Sequence, residues 1–206
     1  LEFFIQKKLA FMIKPFDFFF DIVSPYSYLA HKQIRNIEIQ NKIQINYMPI
    51  LLGGLLKLSE IKANAFIPSK AKFMIRDCKL IAEKFNIKFK FNSYFPIQSL
   101  NLMRGVIVSE SENKKTSYID KFFDACWANG VNLNDQNFVD IILKDLDFKL
   151  EDFKLKILSQ NIKEELKRRT EDAFSKGVFG APSFIVNNKM FWGQDRLEFV
   201  LNEARK

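Results

Sequence analysis

The tetrapeptide Ser24-Pro25-Tyr26-Ser27 follows an aromatic run, Phe16–Asp21, and has the form of a helix start. Ser is a preferred N-cap and Pro a preferred first helical residue, so the Ser24 hydroxyl falls at the positive end of a helix dipole. A Cys-x-x-Cys pair at such a turn does disulfide chemistry. Here both positions are Ser, and sulfur exchange through them is excluded. What remains is a hydroxyl donor suited to another molecule's thiolate. A hydrogen bond to a charged acceptor contributes about 1.5–3 kcal/mol, and the helix end about 0.3–1 kcal/mol. At about 1.36 kcal/mol per pKa unit, a bound thiol drops by about one to three units. Taken alone, the tetrapeptide also reads as an ordinary helix cap.

Two further stretches carry polar chemistry. In Gly177-Val178-Phe179-Gly180-Ala181-Pro182-Ser183, a Pro enters a short apolar run after a tight Gly turn, so it lies at a sheet edge or bend. With a cis bond before Pro182, Ala181 presents its N–H and C=O outward, where an extended peptide can pair as an added strand. In Phe191-Trp192-Gly193-Gln194-Asp195-Arg196, the amides of Gln194 and Asp195 open a helix and suit a carboxylate. The Asp195 side chain suits an ammonium. Each stretch by itself is also compatible with a plain turn or cap.

The elements that must position these residues follow from periodicity. Phe16–Asp21 reads as a strand buried on both faces, the helix after Ser24 runs to about Ile37, and Ile43–Pro49 reads as a parallel second strand, completing a βαβ unit. From Pro68 to about Gly177 the pattern is mostly helical. Ser69–Phe85 places Phe73, Met74, Ile81 and Phe85 on one face, Thr116–Ala128 places Ile119, Phe122, Phe123 and Cys126 together, and Phe138–Leu146 and Phe153–Phe174 continue the pattern. Ser183–Val186, the turn Asn187-Asn188 and Met190–Trp192 form a hairpin, and Leu197–Ala204 a last helix. The expected fold is α/β: a thioredoxin-like fold, residues 15–66 and 178–206, split by an all-helical insertion, residues 67–177, behind an extension over residues 1–14.

Composition bounds the alternatives. With 206 residues, 48% hydrophobic, and only 7 Gly and 6 Pro, the chain is a folded protein with a sizeable core, not a disordered or fibrous one. One His and two Cys exclude a Cys/His metal cluster and a disulfide scaffold. The net charge of +8 is spread with no basic run longer than three, so neither nucleic acid nor membrane is the expected partner. The 23 Phe read as packing material, and Lys exceeds Arg 25 to 7. Leu1–Phe11 reads as sequence outside the fold, since Met12 opens a natural-looking segment. The expected compartment is the cytoplasm, with Cys78 and Cys126 buried as inert thiols. His31 reads as a packing or surface residue, and Arg168-Arg169 as part of a solvated helix face.

Taken in order, Asp17–Ala30, Gly177–Pro182 and Phe191–Leu197 resemble the 2-hydroxychromene-2-carboxylate isomerases and the related kappa-class glutathione transferases, which share the DsbA-like thioredoxin fold. The likeness runs from about Lys14 to the C-terminus, and Trp-Gly-Gln-Asp-Arg is closer to the isomerase branch. The resemblance implies glutathione as cofactor, with Ser24 as catalytic donor to its sulfur and Pro25 and Tyr26 in contact with it. Ala181 before cis-Pro182 would pair with the cysteinyl backbone, and Gln194 and Asp195 would hold the γ-glutamyl end. Asn64 matches a further polar contact, though its spacing to Pro68 is shorter than the family's. Lys57 and Arg104 are candidates for binding a small aromatic carboxylate substrate. A homodimer is implied as well. The implied reaction is thiolate addition to a conjugated aromatic pyruvate, bond rotation, and elimination. A kappa-like transferase and a non-catalytic glutathione-binding protein are the alternatives.

Overall fold

The first strand is built from aromatic side chains that leave on both faces of the sheet. In the computed structural model, which describes residues 13–41 and 43–206, β1 is Phe16–Phe20. Phe18 stacks on Phe20 at 5.3 Å and on Phe184 at 5.4 Å on one face. Phe19 packs with Ile50, Leu55 and Val178 on the other. Burial on both faces is why this run lacks a polar alternation.

Helix α1 (Pro25–Asn41) follows, starting at Pro25 as expected and running past Ile37. Strand β2 (Ile45–Pro49) then pairs parallel to β1, with Phe16 opposite Ile45 and Phe20 opposite Pro49. The sheet is completed at the other end of the chain by β3 (Ser183–Val186) and β4 (Lys189–Trp192) in the order β2-β1-β3-β4, both added antiparallel. Asn187 and Asn188 close this hairpin with φ of 48° and 60°, the left-handed pair a two-residue turn requires.

Between β2 and β3 lie α2 (Leu52–Leu58), a 3-10 turn (Asn64–Phe66), α3 (Pro68–Lys84), α4 (Leu100–Ser111), α5 (Lys115–Phe123) running into a π-helical turn (Asp124–Ala128), α6 (Gln136–Asp145), α7 (Leu150–Leu158) and α8 (Gln160–Ser175). A 3-10 turn (Gln194–Arg196) and α9 (Leu197–Ala204) close the chain. The inserted helices share an apolar core with the sheet. His31 and Tyr28 on α1 pack on Phe123, and Trp127 donates its indole N–H to the Ile22 carbonyl at 2.8 Å. His31 is fully buried, and its Nε2 lies 2.6 Å from the Asp120 carboxylate, so it is a packing residue tied to a helix partner.

Three expectations are corrected. Phe153–Phe174 is two helices, because Ser159 takes an extended ψ of 150° between them and its hydroxyl bonds the Lys156 carbonyl. The inward face of α3 is Met74, Cys78 and Ala82, while Phe73 and Phe85 are exposed along a cleft. Arg169 is not part of a solvated face: it binds Glu110 through both terminal nitrogens at 2.8 Å and so clamps α8 to α4. The expected extension over residues 1–14 falls largely outside the described residues; Lys14 bonds the Ala204 carbonyl through its backbone N–H. Cys78 and Cys126 are buried free thiols, both pushed above their usual range, burial being the largest cause. Among the described residues, no helix is long and apolar enough to cross a membrane.

Candidate functional site

The chain's separate polar stretches converge on the turn between β1 and α1. Ser24 caps α1: its hydroxyl accepts the Ser27 N–H at 3.1 Å, and its carbonyl accepts the Tyr28 N–H. The same hydroxyl donates to the Ala181 carbonyl at 3.0 Å, across 157 residues of sequence. The Ala181–Pro182 bond is cis, as the sequence suggested. Gly193 N–H then bonds the Pro182 carbonyl at 3.0 Å, which ties the third stretch to the second. Gly193 has a φ of +111°, a backbone state that disfavours any side chain. Gly180 must also be bare, since a Cβ there would lie 2.6 Å from the Trp192 indole nitrogen.

These residues open onto one cleft of about 2040 Å³. Ser24, Pro25, Tyr26, Asn64, Ala181, Pro182, Gln194 and Asp195 all line it. Its apolar walls include Leu52, Phe66, Phe73, Met74, Phe179 and Trp192, the last two with ring centres 5.0 Å apart. Gln194 is buried and faces the Gln33 amide at 3.4 Å; the exposed Asp195 carboxylate lies 3.2 Å from the Arg196 guanidinium. Lys57 does not line the cleft, and Lys62 and Lys70 on the same side do. Arg104 does not reach it either; its Nη1 donates to Asn101 on the same helix at 3.1 Å, and its Nε is buried.

Two residues of the site were missed in the sequence. Asp77, on α3, accepts the Tyr26 hydroxyl at 2.8 Å and brings the insertion to the cleft wall. Burial first, and then the Asp77 hydrogen bond, push the Tyr26 phenol well above its usual range, so it stays a donor. Asp21, fully buried beneath the turn, is the other. Neither shows its role locally: Asp77 meets Tyr26 from another helix, and Asp21 meets the distant Leu52 and Ser99 besides its neighbour Val23.

The chain from residue 16 to 204 matches the family described as DSBA-like thioredoxin domain. It belongs to that family. It is 27% identical over 195 residues to a 2-hydroxychromene-2-carboxylate isomerase of Sphingobium xenophagum, covering 92% of this chain and 97% of that protein. It is 26% identical over 202 residues to glutathione S-transferase kappa 1 of Caenorhabditis elegans, covering 89% and 88%. A solved 2-hydroxychromene-2-carboxylate isomerase structure superposes with a TM-score of 0.83 at 24% identity, over 90% of this chain and 92% of that one, and so shares the fold. Within this DSBA-like family, Ser24 and Ser27 give the chain a helix-start turn without sulfur.

Proposed function

We propose that this chain is a glutathione-dependent isomerase of 2-hydroxychromene-2-carboxylate or a related conjugated aromatic pyruvate. The observation that carries the reading is the Ser24 hydroxyl, held at the start of α1 and 3.0 Å from the carbonyl that precedes a cis-Pro. The donor set fits glutathione: a hydroxyl for a thiolate, the backbone of Ala181 on the cleft wall for a peptide, and Gln194 with Asp195 for an α-amino acid end. When bound, glutathione supplies a thiolate that adds to the conjugated double bond and leaves again after rotation. Ser24 redirects its proton from the Ala181 carbonyl to the sulfur, and that carbonyl becomes available to a peptide N–H. The helix start and the hydroxyl hold the negative charge, and the apolar walls keep water from it. The similarity to named isomerases over nearly the whole chain supports the same reading. A reducing compartment, the cytoplasm, and a homodimer go with it, the latter on the resemblance alone.

The similarity to kappa-class transferases favours a second reading, in which the same site yields a stable conjugate. Product analysis separates the two: an enone returned as its isomer with glutathione unconsumed supports the isomerase, and an S-aryl conjugate from an aryl halide supports the transferase. Calorimetry showing no binding of reduced glutathione at millimolar levels rejects both.

Asp195→Ala tests the γ-glutamyl end. Losing an exposed carboxylate that also has Arg196 for company should raise the glutathione Kd about tenfold, equivalent to about 1.4 kcal/mol, and change kcat less than about threefold. An unaltered Kd removes Asp195 from the binding site.

A further inference from the structure

The turn that presents Ser24 is held from below by groups the proposed reaction does not use. The backbone N–H of Ile22 points at the Met103 sulfur at 3.4 Å, and its carbonyl accepts from Trp127. Asp21 supplies the rest. One carboxylate oxygen accepts the Val23 N–H at 3.0 Å; the other accepts the Leu52 N–H at 2.8 Å and the Ser99 hydroxyl at 2.9 Å. Val23, Leu52 and Ser99 each line the cleft, from the Ser24 turn, the start of α2 and the start of α4, whereas Asp21 does not. A single buried carboxylate thus joins three separate walls.

We propose that ionised Asp21 is the positioning residue of this site, fixing the Ser24 turn against the first residues of α2 and α4 so that the cleft is shaped to receive glutathione. The role rests on the glutathione reading above.

Every group facing the carboxylate is a donor in this arrangement. A proton on the first oxygen opposes the Val23 N–H, and a proton on the second turns the Ser99 hydroxyl into an acceptor; either way the carboxyl loses the charge that strengthens its bonds to the Val23 and Leu52 N–H groups, so protonation weakens the tie between the walls. Among the described residues Asp21 forms no ion pair, and the other titratable group that feels its charge is the Cys126 thiol on the π-helical turn. That thiol is pushed up to about 12 by burial first and stays neutral. Burial raises the Asp21 carboxyl from 3.8 to about 6 against the three hydrogen bonds, which lower it. Its folded-state pKa is above the unfolded one, so its contribution to stability is full below about 3.8 and is lost as pH rises through about 6. The fold is weakened at neutral pH by the very form that makes all three bonds, which points to use in the site and not to stability.

The test is calorimetry with S-methylglutathione, whose sulfur cannot ionise, between about pH 5 and pH 8, where its carboxylates and ammonium do not titrate. The wild-type Kd should rise about tenfold as pH falls through about 6. Asp21→Asn should bind weakly and without that inflection. Ser99→Ala keeps the carboxylate but removes one bond to its ionised form, so the inflection should move to higher pH; this variant decides the matter if Asp21→Asn does not fold. Wild-type binding with a flat profile, or an inflection unmoved in Ser99→Ala, overturns the role of Asp21 and leaves the glutathione reading standing. Failure of the wild type to bind at any pH overturns the glutathione reading and the role with it.

Discussion

Ser24→Ala is expected to lower kcat/KM with glutathione and an enone by about 10²–10³-fold, the usual cost of deleting one donor to a developing anion. A hydrogen bond to charged sulfur contributes about 1.5–3 kcal/mol, so its loss should raise the bound thiol's pKa by about one to two units. A free cysteine thiol has a pKa near about 8.5, and the variant should return the bound thiol most of the way there, leaving it largely protonated at pH 7. The helix start remains and keeps a small part of the effect. The fold should survive. Ser24 caps α1 through the Ser27 N–H, and losing a cap costs about 1 kcal/mol. That is about 2–4 °C in Tm for a chain of this size. Thiolate absorbance across pH, measured beside turnover and a thermal melt, separates the chemical loss from the structural one. Unchanged thiolate absorbance in the variant rejects Ser24 as the donor.

The parts of this molecule that were legible in its sequence are those written locally. Ser24-Pro25 starts α1, Asn187-Asn188 turns the β3–β4 hairpin, and Leu197–Ala204 is the last helix, because caps, left-handed turns and apolar spacing each act within a few residues. The meeting of the Ser24, Ala181 and Gln194 stretches was reached through three motifs in order; the bonds from Ser24 to Ala181 and from Gly193 to Pro182 complete it. What could not be read depends on distant partners. Helix α2 forms in spite of Gly53 and Gly54; its first N–H is held by the carboxylate of Asp21 and Leu55 is buried beneath it. The face of α3 was misjudged because Phe73 and Phe85 are large and apolar. The small Cys78 and Ala82 are what fit against the core, leaving the rings to the cleft. Lys57 matched a pattern, yet α2 turns it away, and Lys62 and Lys70 line the cleft instead. Charge spacing on α8 could not show that Arg169 finds Glu110 on another helix.

Gly105→Ala should be the most destabilising single-methyl change in the insertion, lowering stability by about 2–4 kcal/mol. Two effects oppose each other. In a helix interior Ala is favoured over Gly by about 1 kcal/mol. Against that, a Cβ on Gly105 would meet the Tyr118 hydroxyl, lie 2.7 Å from the Tyr118 ring carbon that carries it, and lie 2.9 Å from the Phe153 ring. Neither ring has room to yield. Both are buried, Tyr118 packs on Phe122 at 4.3 Å between ring centres, and Phe153 packs on Phe148 at 4.8 Å. Overpacking a core costs about 1–3 kcal/mol. Moving Tyr118 also breaks its buried bond to the Leu102 carbonyl, which leaves polar atoms unpaired at about 1–3 kcal/mol. The clash therefore outweighs the propensity gain. The site should feel it too, since α4 carries Met103 and begins beside Ser99, both of which hold the turn before Ser24. A thermal melt should show a drop of about 4–16 °C, from about 2–4 °C per kcal/mol. Adding Tyr118→Phe removes the closest obstructing atom and should recover part of the loss, a coupling of about 0.5–3 kcal/mol. A Gly105→Ala protein as stable as the wild type, or a double variant that recovers nothing, rules out close approach of α4 to Tyr118 as the reason for glycine at this position.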